Sequence, residues 1–90
     1  MFKQTVLGVW VAMASMTAFA GTQCTPHPEN ERIPAAQFQA QLKQQGYDIK
    51  KFKFTSGNCY EIYGKNKQGQ KVEIYFDSKT GKVVKSEIDD

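Results

Sequence analysis

Cys59–Ile88, CYEIYGKNKQGQKVEIYFDSKTGKVVKSEI, nearly repeats itself after twelve residues. Glu61-Ile62-Tyr63 returns as Glu73-Ile74-Tyr75, Lys67 as Lys79, Gly69 as Gly81 and Val72 as Val84. Each half alternates polar with apolar residues and then meets a glycine-containing turn, the pattern of a three-stranded antiparallel meander. In Asn66–Gln70, a type I turn on Lys67-Gln68 with Gly69 left-handed makes a three-residue hairpin loop. That loop sets Ile62 opposite Ile74, Tyr60 opposite Phe76, Glu61 opposite Tyr75 and Tyr63 opposite Glu73. Ser78–Lys82, read the same way, sets Phe76 opposite Val84 and Val72 opposite Ile88. One face then carries Tyr60, Ile62, Val72, Ile74, Phe76, Val84 and Ile88. The other carries Glu61, Tyr63, Lys71, Glu73, Tyr75, Asp77, Val83, Lys85 and Glu87. So clean a division predicts one covered face and one wet face. A slip of one residue would invert it, so burial should hold the register.

Upstream of the meander, Tyr47–Phe54 reads as a first strand, turned into the second by Thr55–Asn58. Its phase is mixed. Phe52 and Phe54 share one face, Tyr47 and Ile49 the other, and a bulge or a late strand start reconciles them. Before it, Pro34–Gln45 reads as a helix, with Pro34 in the first turn and Gly46 as the stop. Ile33 and Phe38 make a hydrophobic staple. Ala35, Phe38 and Leu42 form the stripe expected on the apolar sheet face, and the glutamines form a solvated surface. The expected architecture is α+β: one N-terminal helix packed on a four-stranded antiparallel sheet, α-β-β-β-β, in two layers.

Residues 1–20 read as a signal peptide. Lys3 gives the positive start, Val6–Met16 is apolar and uncharged, and Ala18-Phe19-Ala20 is an A-x-A site that places cleavage between Ala20 and Gly21. The run is short for a membrane span of about 20 residues. Gly21-Thr22-Gln23 before Cys24 lacks the apolar residue of a lipobox. The expected mature chain is exported, periplasmic or secreted, and not inserted in a membrane. It keeps 70 of the 90 residues, and losing Lys3 takes the net charge from +3 to +2. That suits one small domain near the lower limit for a self-sufficient core. So mild a charge does not imply nucleic acid, although Lys50, Lys51 and Lys53 interleave with Phe52 and Phe54.

Cys24 and Cys59 are the only cysteines. In an oxidising compartment an even count in a small domain predicts a structural disulfide, here pinning an irregular lead, residues 21–32, to the sheet. With no C-x-x-C and a single histidine, His27, there is no redox motif and a poor zinc set. His27 lies between Pro26 and Pro28 and reads as a solvent-facing loop residue. All three Met and the only Trp fall within residues 1–20. No haem, copper or other cofactor is expected in the mature chain.

Several motifs together resemble the PepSY domain. These are Pro34-Ala35 leading to Phe38, Gln44-Gln45-Gly46-Tyr47, Ile49–Lys53, Gly57–Tyr63, and Lys71–Val84 with its Y-F-D-x-x-T-G-K core. The resemblance covers residues 33–88 and is closest to the small exported PepSY-domain proteins of Gram-negative bacteria. PepSY domains occur in propeptides of thermolysin-like proteases and in membrane-bound regulators. The resemblance therefore implies binding or inhibition outside the cytoplasm, with a protease or a membrane regulator as partner. Unlike those propeptides, this sequence carries no protease domain.

Three classes of function follow. A module that binds a protein or peptide would use the wet face, where Tyr63 and Tyr75 stand on adjacent strands with Lys85 opposite Tyr75. Tyrosines bury area at small rotamer cost, and the same residues also serve as cross-strand pairs that stiffen a sheet. Open sheet edges offer strand addition as a second route, which a lysine-rich first strand discourages. An enzyme would need paired acid and base, an activated nucleophile or a metal. Glu61 and Glu73 are the only candidate pair, diagonal on an open surface, so no catalytic residue is assigned. The third class is an accessory to a membrane redox or metal-handling system, without a cofactor of its own.

Overall fold

Residues 21–89 are described by the computed structural model. Residues 1–20, read as a signal peptide ending at Ala20, lie outside them. A single turn of 3-10 helix, Glu29–Glu31, precedes α1 (Ala35–Gln44). Four strands follow, β1 (Asp48–Phe54), β2 (Cys59–Lys65), β3 (Lys71–Asp77) and β4 (Val83–Asp89). They form one antiparallel sheet in chain order, with β1 and β4 as its edges.

The β2–β3 hairpin has the register the sequence predicts, including Ile62 opposite Ile74 and Tyr63 opposite Glu73. Asn66 N–H donates to Gln70 O at 2.9 Å, and Gly69, at φ 80°, donates back to Asn66 O. In β1 the mixed phase resolves at a bulge. Ile49 pairs with Gly64 and Lys51 with Tyr63, leaving Lys50 extra. The bulge brings the chain so close that a Cβ on Gly64 would sit 2.0 Å from Asp48 O. Ile49 and Tyr47 thereby join Phe52 against the core.

That core lies between α1 and the sheet: Phe38, Leu42, Tyr60, Ile62, Val72, Ile74 and Phe76. Phe38 is its hub. Its ring lies 5.4 Å from Tyr60, 5.0 Å from Phe76 and 6.5 Å from Phe52, centroid to centroid. Ile33 packs beside it, and the Tyr60 hydroxyl donates to Ile33 O at 2.6 Å.

Three expectations fail on the covered face. Ala35 is exposed, so α1 buries only Phe38 and Leu42. Phe76 pairs with Val83 rather than Val84, because the β3–β4 loop is one residue longer than expected. Asp77 N–H donates to Lys82 O, Gly81 N–H donates to Asp77 O, and a bulge at Val84 restores the expected pairing at Tyr75–Lys85 and Val72–Ile88. Finally, every residue of β4 is exposed, Val84 and Ile88 at 47% and 54%. The reason is width. Four strands about 4.8 Å apart make a layer broader than one helix of roughly 10–12 Å, so an edge strand stays uncovered.

Candidate functional site

The second sheet face is not uniformly wet. Cys59 lies at one end of it, and the Cys24–Cys59 disulfide ties the N-terminal lead across that end. Cys24 N–H donates to Gly57 O at 2.8 Å. The lead borders Lys53, Glu61 and Tyr75, with which Gly21, Thr22 and Gln23 line a cleft of about 250 Å³. Glu61 is consequently 3% exposed. This corrects the expectation that the diagonal Glu61–Glu73 pair lies on an open surface.

The strand register places these carboxylates on neighbouring strands as a diagonal pair, within reach of long side chains. They share a hydrogen bond. Burial first, and the bond to Glu73 second, raise the Glu61 pKa, against the opposing Lys53 ammonium 3.7 Å away. Glu73 moves the other way. The bond from Glu61, then that from Tyr75, hold it low against the cost of burial. Glu61 is thus the member of the pair that takes up a proton more readily, and Glu73 the one that more readily stays ionised. Both tyrosines converge on the same acceptor atom, Tyr75 Oη at 2.7 Å and Tyr63 Oη at 2.9 Å from Glu73 Oε2. The bond to Glu73 is the main cause that pushes the Tyr63 hydroxyl up to about 12, and it pushes Tyr75 up as well.

Tyr63 and Tyr75 stand on adjacent strands as expected, and Lys85 pairs with Tyr75 across the β3–β4 ladder. Their exposure differs. Tyr63 is 41% exposed, whereas Tyr75 is half-buried between the two glutamates. Lys85 is exposed and reaches Glu87 at 3.4 Å. Tyr63 opens onto a groove of about 760 Å³ at the far end of this face, walled by Lys50, Lys65, Lys71, Glu73 and Glu87 among others.

A second cluster ties the lead to the β3–β4 loop. His27 Nε2 lies 3.0 Å from Asp77 Oδ1, with side chains 14% and 17% exposed, so His27 is not the solvent-facing residue expected. The Arg32 guanidinium stacks over Phe54 at 4.1 Å and donates to His27 O. Burial opposes the charge on Asp77. The N–H groups of Lys79 and Thr80 and the His27 ring outweigh it and hold the carboxyl below its ordinary range. Asp77 Oδ1 accepts from Lys79 N at 2.8 Å and Thr80 N at 3.2 Å, and Thr80 Oγ1 accepts from Lys82 N. The Asp, Thr and Gly of the D-S-K-T-G run therefore build a loop. A Cβ on Gly81, at φ 77°, would lie 3.2 Å from Phe38 Cε1.

The model of the family described as peptidase propeptide and YPEB domain, PepSY_2, matches residues 4–87. The chain belongs to the PepSY family. No curated protein and no solved structure matches it. Domains of this family are generally non-catalytic propeptide or regulatory modules, usually extracellular or periplasmic. The Asp77–Lys82 loop lies within the PepSY motif, and its role here is structural. Among the described residues no three His, Cys, Asp or Glu side chains gather to hold a metal, and no helix is long and apolar enough to cross a membrane.

Two relationships were not readable from this PepSY sequence. The burial of Glu61 and the His27–Asp77 pair both depend on where the lead lies, and the lead has no periodic pattern. The convergence of two tyrosines on Glu73 had a signal in the twelve-residue repeat, which sets Glu61, Tyr63, Glu73 and Tyr75 on one face of adjacent strands.

Proposed function

We propose that this PepSY domain is an exported, non-catalytic binding module that recognises a protein or peptide, with control of a protease as the regulatory outcome. Tyr63 is its anchor, Lys85 its charged rim, and Tyr75 the neighbour that fixes the anchor through Glu73. The observation that supports this reading is Tyr63 itself. It is 41% exposed beside an open groove, yet its hydroxyl is fixed on Glu73. An aromatic ring held in place before binding loses little conformational freedom when a partner covers it. The Glu61–Glu73 pair serves this scaffold. Glu73 accepts from both tyrosine hydroxyls, and Glu61 is buried, which leaves little approach for a substrate.

The test is photo-crosslinking from position 63 in the native cell envelope, with captured proteins identified by mass spectrometry. One dominant adduct is expected, lost when competing unmodified protein is added and retained in a Gln44→Ala control on α1, on the other side of the sheet. Tyr63→Ala should weaken binding of that partner by about tenfold or more while the melting temperature stays close to that of the parent. Absence of any adduct, or an equal loss of stability and binding, would return Tyr63 to a role in stiffening the sheet.

A further inference from the structure

The two sheet edges differ in how they are finished. β1 carries a bulge at Lys50 and the lysines Lys50, Lys51 and Lys53, devices that discourage strand addition. β4 is less protected over Lys85–Ile88, which has no bulge and a single lysine accompanied by Glu87. All of its residues are exposed, and its outer edge presents backbone donors and acceptors to whatever strand approaches. Its bulge lies at one end, at Val84. On the helix side it displays Val84 and Ile88, both about half exposed, next to a core that α1 is too narrow to extend over them.

The sequence of this edge is complementary to its own reversal. Val84-Lys85-Ser86-Glu87-Ile88, run antiparallel against a second copy about Ser86, sets Val84 against Ile88 and Lys85 against Glu87. Ser86 meets Ser86 at the two-fold axis, where a small side chain fits. Both apolar contacts fall on the helix side, and both ion pairs fall on the opposite side, with Lys85 and Glu87. Neighbouring registers lose the match. Centring on Glu87 sets Glu87 against itself, and centring on Lys85 sets Lys85 against itself, like-charge contacts that destabilise a ladder. Within one chain Glu87 already lies opposite Glu73 across the β3–β4 ladder. Its own Lys85 lies 3.4 Å from Glu87, and a second copy's Lys85 would set a further cation directly opposite it.

We infer that β4 is a homodimer edge: two copies pair antiparallel about Ser86 into one continuous eight-stranded sheet. Such an isologous contact closes on itself, so it uses the open edge without leading to a fibre.

The chain is expressed from its full sequence and purified as the cell processes it, and its mass is followed by sedimentation velocity over a concentration series. A monomer–dimer equilibrium is expected. Lys85→Glu and Glu87→Lys should each raise the dimer dissociation constant about tenfold or more, since each sets like charges opposite at two symmetric positions. Combining them restores opposite charges across the axis and should return the constant to within about threefold of the parent. Circular dichroism and melting confirm that each variant is folded. Ser86→Cys, in an otherwise unaltered chain, should give a disulfide-linked dimer under oxidation, and Lys51→Cys on the β1 edge should not. A monomer at all concentrations, a dimer indifferent to both charge reversals, or a β4 that pairs only with a different protein would each overturn the inference.

Discussion

Gly81 shows how much one position in this protein decides. Its left-handed φ closes the β3–β4 loop, and its missing Cβ leaves room for Phe38, the centre of the aromatic core. Gly69 has a similar φ of 80° but nothing near its Cβ position. Gly69→Ala should therefore cost about 1–2 kcal/mol, the cost of a left-handed L-residue alone, and Gly81→Ala more than that. Paired denaturant titrations check the order, and equal losses would mean that Phe38 gives way freely. Glu61 is the second residue with a distinct signature. Folding raises its proton affinity, so the folded state binds more protons than the unfolded one between the ordinary value of 4.5 and the raised one. Stability from this group is present below that window and is lost as pH rises through it. Glu61→Gln keeps a neutral donor toward Glu73 and removes the titration. Its melting temperature should fall less steeply with pH across this window, and at neutral pH it should equal or exceed the parent's. An unchanged profile would refute a raised proton affinity at Glu61.

Among the elements, the β3–β4 loop and the lead depend on one another. Asp77 is held below its ordinary 3.8 by the loop N–H groups and His27, so its contribution is present above that value and is lost as pH falls through the depressed folded one. Asp77→Ala removes two charge-assisted bonds from the loop and the partner of His27. A loss of about 2–3 kcal/mol is expected, with a shallower acid limb in the melting profile. The lead's other tether is the disulfide. It spans 35 residues of sequence, for which the chain-entropy model gives about 3–4 kcal/mol. Reduction, or Cys59→Ser, should lower stability by that amount and release the lead from Glu61. A melting temperature unmoved by reductant would show that the lead holds by its other contacts.

For the molecule as a whole, the two sheet faces and the β4 edge separate what holds the fold from what is open to partners. The helix side carries the aromatic core, and the opposite face is closed at the disulfide end and open at Tyr63. Tyr63→Ala therefore belongs to binding, whereas Phe38→Ala should cost about 3–5 kcal/mol of stability. Chemical denaturation of the two variants side by side distinguishes them. If both lost stability equally, the exposed tyrosine would be part of the fold's support.

The sequence alone determined the strands, the β2–β3 register and the mixed phase of β1, for which it left a bulge or a late strand start. Period-two alternation names the side of a sheet on which each residue lies, and turn glycines fix which residues face each other. It also put Tyr63, Tyr75, Glu61 and Glu73 on one face. Only the tertiary structure decided what covers each side. Alternation carries no information about the width of the packing helix, so Val84 and Ile88 read as core and stand open. Nor does it place an aperiodic lead, so Glu61 read as wet and is enclosed, while His27 read as free and is paired. Coverage is a property of segments distant in sequence, brought together here by a disulfide and by a helix narrower than its sheet.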